Sequence, residues 1–301
     1  MFDTSDFAAN DGHGTCPEFR TGLVGRGILA SGSPWLHEKE AAALGIRLRY
    51  SLFDFSDRNW SDDALGAVLA KALELDFSGL NVTFPFKQAV IPLLDDLSDD
   101  ARAIGAVNTV QMSGGRLIGH NTDVTGFAAG FAEGLPGAAL DHVLQIGCGG
   151  AGSAIAHALL SHIGVGRLLL ADSDTVRRDA LWRSLSDRYG EGRVAVAPDP
   201  EQAARGVSGI VNATPVGMEK FPGMPIPAAI IEPRHWIADI VYFPLVTEFL
   251  AQAAAKGCRT LDGSSMVVHQ AAGAFEIFLN RSADRQRMRR SFGEFVRTGE
   301  I

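Results

Sequence analysis

Apolar residues recur along this chain with two alternating periods. Period two marks strands and a period near 3.6 marks helices. Residues 21–27 read as a short strand ending in glycines, and residues 47–55 and 79–84 as two more. Between them, residues 35–44 and 61–75 read as helices. In the second of these, Leu65, Val68, Leu69 and Ala72 share one face and Ser61 stands as the cap. Residues 88–97 and 98–104 read as short helices, 106–112 and 116–120 as strands, and 124–133 as a helix. The first third is therefore β-α-β-α-β with two further strands.

From residue 141 the alternation becomes regular. Strands at 141–146, 167–170, 193–197, 209–214, 236–241 and 258–261 alternate with helices, among them 153–163 and 245–256. Six strands separated by helices predict a parallel, doubly wound sheet over 141–261. A mostly apolar helix follows at 264–279 and contains Gln270. Gly134, Leu135, Pro136 and Gly137 form the clearest break between the halves. No repeat or low-complexity tract interrupts the pattern.

Composition narrows the class. The chain has 301 residues, enough for two domains with sizeable cores. Its net charge of -8 argues against a nucleic-acid or membrane-surface partner. The most basic patch, Arg285, Arg287, Arg289 and Arg290, reads as a solvated helix face. The cysteines Cys16, Cys148 and Cys258 are odd in number and scattered, which fits a reducing, cytoplasmic setting. No cysteine–histidine spacing suggests a metal, and no apolar run is long enough to span a bilayer. Residues 1–20 are polar and read as a flexible leader.

Four stretches carry candidate chemistry. In GLNVTFPFK, residues 79–87, Pro85 forces a turn, so Lys87 falls just past a buried strand, where α/β folds place their chemistry. On its own Lys87 reads as an ordinary solvated loop charge, and only the other blocks turn it into a candidate. In SGSP, Ser33 before Pro34 is a good N-cap, whereas Ser31 has no such structural excuse. Two hydroxyls flanking Gly32 suit a carboxylate or a polyol. In GHNTDVTG, Thr122 or Asp123 caps the next helix, or Asp123 offers a carboxylate to a lysine. Finally GCGGAG follows a buried strand and opens a helix, so Gly147, Gly149 and Gly152 fit a GxGxxG dinucleotide turn. Asp172 closes the next strand, where an acidic residue accepts from the adenosine ribose and repels a 2′-phosphate. NAD is therefore favoured over NADP, although Arg177 and Arg178 weaken the contrast.

Taken in order, these blocks resemble the shikimate/quinate dehydrogenase family. SGSP is similar to its Ser-x-Ser-Pro turn and NVTFPFK to its Asn-x-Thr-x-Pro-x-Lys. GAVNT at 105–109, GHNTD at 119–123, GCGGAG, NATPVGM at 212–218, DIVYFP and the Gln270 helix complete the order. The likeness runs from about residue 21 to 292. The NAD-preferring bacterial quinate/shikimate branch is nearest, because ADSDTVR at 171–177 replaces the Asn-Arg-Thr that receives the NADP phosphate. Two positions depart from the pattern. Phe243 stands where many relatives carry Asn, and Ser33 where the quinate-using branch often has threonine, which leaves shikimate against quinate open.

The resemblance implies an α/β fold of two domains. A discontinuous substrate domain spans 21–125 and is completed by 264–301; a Rossmann-type NAD domain spans 126–263, with the active site in the cleft between them. It implies that Ser31 and Ser33 bind a substrate carboxylate. Thr83, Asn108, Asp123 and Gln270 would bind ring hydroxyls, and Lys87 would take the hydroxyl proton with Asp123 as its partner. Cofactor contacts would come from Gly147, Gly149, Gly150, Ala151, Gly152, Asp172, Arg177, Thr214, Val241 and Gly263. The expected partners are shikimate or quinate and NAD, in a monomer or homodimer without metal. One chemical tension stays open: a carboxylate beside a lysine stabilises the ammonium, which is no base, so Lys87 either accepts the proton or only polarises the hydroxyl. A dehydrogenase of another cyclic polyol acid such as an aminoshikimate, an idle dinucleotide-binding regulator and a folate-type methylene dehydrogenase are the alternatives. The Lys87 and Asp123 pair speaks against the regulator, and the SGSP and GHNTD blocks against the folate enzyme.

Overall fold

A computed structural model describes residues 19–298 of the chain. These fall into two compact units, one running to Thr122 and resuming at Ala271, the other spanning Asp123–Gln270. The expected leader lies outside the described residues apart from Phe19 and Arg20, which already pair as the start of a strand.

The first unit begins with β1 (Phe19–Gly25), α1 (Ser33–Ala43), β2 (Leu48–Asp54), α2 (Leu65–Glu74), β3 (Gly79–Val82), α3 (Phe86–Ala89), β4 (Asp96–Leu97), α4 (Asp99–Ile104), β5 (Thr109–Ser113) and β6 (Arg116–His120). Its sheet has the order β2-β1-β3-β5-β6-β4. Strand β1 is parallel to β2 and β3, while β5 runs antiparallel to β3 and β6. Helix α2 buries the face read from its period: Leu65, Val68, Leu69 and Ala72 join Phe53, Phe77 and Leu80 in one core. Each such side chain contributes roughly 1.5–3 kcal/mol by leaving water. The single short helix expected over 88–97 is broken into pieces. Pro92 cannot continue a helix, so α3 is one short turn, followed by a 3-10 turn and then β4.

The second unit contains α5 (Thr122–Gly134, from Asp123 on), β7 (His142–Ile146), α6 (Gly150–His157), β8 (Arg167–Ala171), α7 (Thr175–Tyr189), β9 (Val194–Val196), α8 (Pro200–Ala204), β10 (Gly209–Asn212), β11 (Trp236–Asp239), α9 (Glu248–Ala255), β12 (Arg259–Leu261) and the first half of α10 (Gly263–Leu279). All six strands pair in parallel in the order β12-β11-β10-β7-β8-β9. This is the doubly wound sheet expected from the alternation, with its order reversing between β7 and β10. Hence the fold is α/β with two sheets. The break at residues 134–137 only ends α5 within this unit, where Leu135 is fully buried.

The last helix, α11 (Arg285–Thr298), returns to the first unit and packs on α1. Its basic residues are not all a solvated face. Arg285 pairs with Glu276 at 2.9 Å, and Arg287 clamps Glu40 of α1 through two contacts of 2.7 and 2.6 Å. The Glu40 side chain is completely inaccessible and also accepts from the Asp284 N–H. Breaking one partner of a buried pair strands the other charge. Arg287→Ala therefore lowers unfolding free energy by roughly 3 kcal/mol. The double change Glu40→Gln with Arg287→Met recovers most of that loss, as urea titrations of the three proteins will show.

Candidate functional site

Helix α1 starts at Ser33 with Gly32 in the cap position, and no side chain caps it. The Ser33 hydroxyl is thus not spent on capping, contrary to the simplest reading of SGSP. It accepts from Ser31 Oγ at 3.1 Å, and the Ser33 N–H donates back to Ser31 Oγ at 3.3 Å. Two devices set the turn's position. Asp54 accepts from the N–H groups of Gly27 and Ile28 at 2.9 and 2.6 Å, which fixes the loop from β1. From the other side, Trp35 donates to the Ser291 carbonyl, tying the start of α1 to α11.

Beyond Tyr50 a polar row crosses the middle of the first sheet. Tyr50 donates to Asn81 Oδ1 at 2.8 Å, and Asn81 Nδ2 donates to Thr109 Oγ1 and to the Asn108 carbonyl. Thr109 donates to Asn108 Oδ1, which also accepts the Thr122 N–H at 2.8 Å, while Asn108 Nδ2 donates to Thr122 Oγ1. Asn81, Thr109 and Tyr50 were not among the expected site residues. The signal that could have found them is an amide and a hydroxyl at neighbouring buried strand positions, which must be paired with other polar groups.

Lys87 sits on the turn α3 rather than in an irregular loop. Its carbonyl accepts from the Val107 N–H at 2.7 Å, so backbone ties it to the segment that delivers Asn108. Thr83, one residue past β3, continues the sheet by donating its N–H to Val24. Ser31, Ser33, Thr83, Lys87 and Asn108 all belong to the first unit.

Asp123 and Gln270 belong to the second. They are distant in sequence, yet helices α5 and α10 bring them near each other. A Cβ on Gly126 would lie 2.9 Å from that of Gln270, and one on Gly130 would lie 2.7 Å from Ser265 Oγ. Only glycine lets α10 approach the first turns of α5 this closely. Asp123 is buried.

The remaining candidates gather at the carboxyl ends of the second sheet's strands, where open α/β sheets bind ligands. Gly147 has φ of 104°, and a Cβ there would meet the Ala213 carbonyl at 2.5 Å and Thr214 at 2.8 Å. A Cβ on Gly152 would meet the Gly147 carbonyl at 2.2 Å. Those two glycines are needed by the fold itself. Gly149 and Gly150 are different: a Cβ on either meets nothing within 4 Å, and neither has positive φ. Their bareness at the start of α6 leaves room for an incoming group at a helix N-terminus, which suits a pyrophosphate. Gln145 braces the loop by donating to the carbonyls of Gly147 and Gly152, both at 2.8 Å. Ala151 lies in the first turn of α6, and Gly263 abuts the Val241 carbonyl.

Asp172 accepts from the Cys148 N–H at 2.7 Å and from the Asp174 N–H at 2.9 Å. Arg177 closes on both of its oxygens at 3.2 and 3.1 Å. Burial works to raise this carboxyl, but the Arg177 guanidinium and the two N–H donors hold it below the usual range. Cys148 is pushed up to about 12 by burial and by Asp172, so it offers no thiolate. Among the described residues no group of side chains could hold a metal ion, and no helix is long and apolar enough to cross a membrane.

Residues 23–110 match the family model described as the shikimate dehydrogenase substrate binding domain, and residues 263–291 that of the shikimate 5'-dehydrogenase C-terminal domain. The chain is 47% identical over 289 residues to a shikimate dehydrogenase (NADP(+)) of Streptomyces avermitilis, covering 95% of this chain and 99% of that one. It is 45% identical over 274 residues to a quinate/shikimate dehydrogenase (NAD(+)) of Corynebacterium glutamicum, covering 90% and 96%. Among solved structures, a quinate dehydrogenase from Corynebacterium glutamicum in complex with NAD superposes with a TM-score of 0.87 at 43% identity, covering 92% of this chain and 99% of that one.

Close to Thr214, the ends of β10 and β11 are joined by a buried carboxylate that the sequence reading did not single out. Asp239 accepts from Asn212 Nδ2 at 2.9 Å, from the Val241 N–H at 3.0 Å and from the Thr247 hydroxyl at 2.7 Å. Burial nevertheless pushes its carboxyl up from 3.8 to about 6. The folded state therefore favours the neutral acid. That contribution is complete below about pH 4 and is lost as pH rises through about 6, on the order of 2–3 kcal/mol in all. Asp239→Asn mimics the neutral form, because the Thr247 hydroxyl can reverse to accept. Relative to the parent, this variant gains stability between about pH 4.5 and 7.5, measured by urea unfolding at both values.

Proposed function

The chain belongs to the shikimate dehydrogenase family, and on that premise we propose that it oxidises shikimate and quinate reversibly to their 3-dehydro acids with NAD. The observation that carries this reading is the bare Gly149–Gly150 step. Nothing in the protein needs glycine there, and a nucleotide pyrophosphate does. A nucleotide cofactor is common to the named relatives, and NAD is the form assigned here. Asp172 sits at the end of β8, where an adenosine ribose offers hydroxyls, and its charge opposes a 2′-phosphate. Arg177 is engaged with Asp172 and is not presented as a phosphate receptor. The residues that hold NAD in this reading are Gly147, Gly149, Gly150, Ala151, Gly152, Asp172, Thr214, Val241 and Gly263. Bound there, the nicotinamide supplies the hydride acceptor.

The protein's own part is binding, orientation and the proton. Ser31 and Ser33 hold the carboxylate-bearing end of the ring. Thr83, Asn108, Asp123 and Gln270 hold its hydroxyls, with the polar row behind Asn108 fixing which atoms donate. Lys87 and Asp123 handle the hydroxyl proton: the O–H electron pair becomes the new carbonyl bond as hydride leaves the same carbon. This division of labour leaves no part for a metal or a cysteine. A regulator that only binds the dinucleotide would need neither the serine turn nor Lys87, and so fits less well.

Steady-state rates with shikimate and quinate, each with NAD and NADP, test the reading. We expect turnover of both acids and a kcat/KM at least about 10-fold higher with NAD, the effect of a single charge contact. A preference for NADP refutes the Asp172 assignment, and no turnover in any combination refutes the dehydrogenase reading. Lys87→Ala lowers kcat by about 10²–10⁴-fold, as loss of a general acid–base group does. An unchanged kcat with a raised KM makes Lys87 a binding group instead.

A further inference from the structure

One peptide unit of the glycine loop is held at both ends by side chains. The carbonyls of Gly147 and Gly152 can only accept, so the Gln145 atom lying 2.8 Å from each is Nε2. Both N–H groups of the amide are thereby used. The remaining atom, Oε1, is buried and has no hydrogen-bond partner among the described residues. Gln145 is fully buried in β7, and its neighbours across the sheet are Leu170 of β8 and Val211 of β10, both buried as well. An acceptor stranded among apolar side chains costs stability, and an unbranched apolar residue of the same length would fill the place without that cost. The sheet therefore gains nothing from an amide here; the loop does.

What the loop gains is a direction for the Gly147–Cys148 peptide. Gly147 has φ of 104°, a region that favours glycine, and glycine by itself leaves the next peptide many orientations. A peptide is planar and trans, so its C=O and N–H point in opposite directions. Gln145 takes the C=O from inside the sheet. The N–H at the other end, that of Cys148, meets Asp172 Oδ2 at 2.7 Å. The carboxylate's other donors, the Asp174 N–H and the half-exposed Arg177, come from the cap and first turn of α7. The Cys148 N–H is the contact that ties Asp172 to the glycine loop. We infer that Gln145 is a positioning residue for the nucleotide: through the Gly147–Cys148 peptide it sets the Asp172 carboxylate and so sharpens the choice of NAD over NADP. This rests on the functional reading above, with Asp172 as the selector. Repelling a 2′-phosphate needs only a negative charge nearby. Accepting from ribose hydroxyls needs that charge at a fixed position. Without Gln145 the charge stays and the position loosens, so NAD loses more than NADP.

Isothermal titration calorimetry of the full chain with NAD and with NADP, in the parent, Gln145→Met, Asp172→Ala and the double variant, tests this. Methionine keeps the length and adapts to apolar surroundings. Urea unfolding should find Gln145→Met at least as stable as the parent, since the stranded oxygen is gone. We expect its Kd for NAD to rise about 10-fold, the size of about one hydrogen bond, and its Kd for NADP to rise less than about 3-fold. In the Asp172→Ala background, Gln145→Met shifts both constants by equal factors. Amide hydrogen exchange in the nucleotide-free protein should quicken at Cys148 in Gln145→Met and stay unchanged at Leu170 and Val211. Unchanged constants, or equal rises for both nucleotides while Asp172 is present, overturn the inference and leave the NAD assignment intact. If Gln145→Met fails to fold, Gln145→Leu takes its place; failure of both makes the amide a requirement of the fold and overturns the inference as well. A parent that prefers NADP removes Asp172 as the selector, and one that binds neither nucleotide removes the functional reading, each taking this inference with it.

Discussion

The first unit depends on the hydrogen bonds of a single carboxamide. Asn108 Oδ1 takes the Thr109 hydroxyl and the Thr122 N–H, and its Nδ2 reaches the Thr122 hydroxyl. Its backbone completes the joint, donating to His120 and accepting from Val82. One residue thereby ties β3, β5 and β6 to the first residue of α5. The chain buries this much polarity only because almost every group has a partner, and in a low-dielectric interior such a network is rigid. A ring carrying several hydroxyls is recognised by which atoms donate and which accept, and in the proposed site the row from Thr122 through Asn108 and Asn81 to Tyr50 would set those roles before any ligand arrives.

The second unit meets a different constraint by steric means. Its Gly147 and Gly152 are squeezed by neighbouring backbone, while Gly149 and Gly150 face open space. The contrast separates glycines the fold requires from glycines that nothing in the fold requires. Gln145 then stiffens the loop from inside the strand, and Asp172 is pinned by two backbone N–H groups and one guanidinium. The two units thus rely on different devices: an ordered polar lattice in the first, and bare backbone beside a pinned carboxylate in the second.

Much of the fold was legible because period and punctuation agreed. The apolar run before GCGGAG, the alternation after it and the face of α2 each had one physical reading, and the parallel sheet followed. Local competition defeated other readings. SGSP has every feature of a capped helix start, yet Gly32 takes the cap position and the Ser33 hydroxyl pairs with Ser31 instead. The basic run in α11 looked solvated because Glu40, its buried partner, lies near the other end of the chain. Asp239 sits in an apolar strand beside apolar neighbours, and only the fold reveals that Asn212 and Thr247 meet it. Tertiary polar pairing leaves no periodic trace.

The central claim is that this chain removes hydride from a ring carbon and passes the hydroxyl proton separately to protein groups. Shikimate carrying deuterium on the carbinol carbon that becomes the 3-dehydro carbonyl tests it most directly. After turnover with NAD in ordinary water, mass spectrometry of the reduced nucleotide should find one deuterium per dehydro acid formed, with none released to solvent. Deuterium appearing in the water, or dehydro acid formed without labelled reduced nucleotide, would contradict the account.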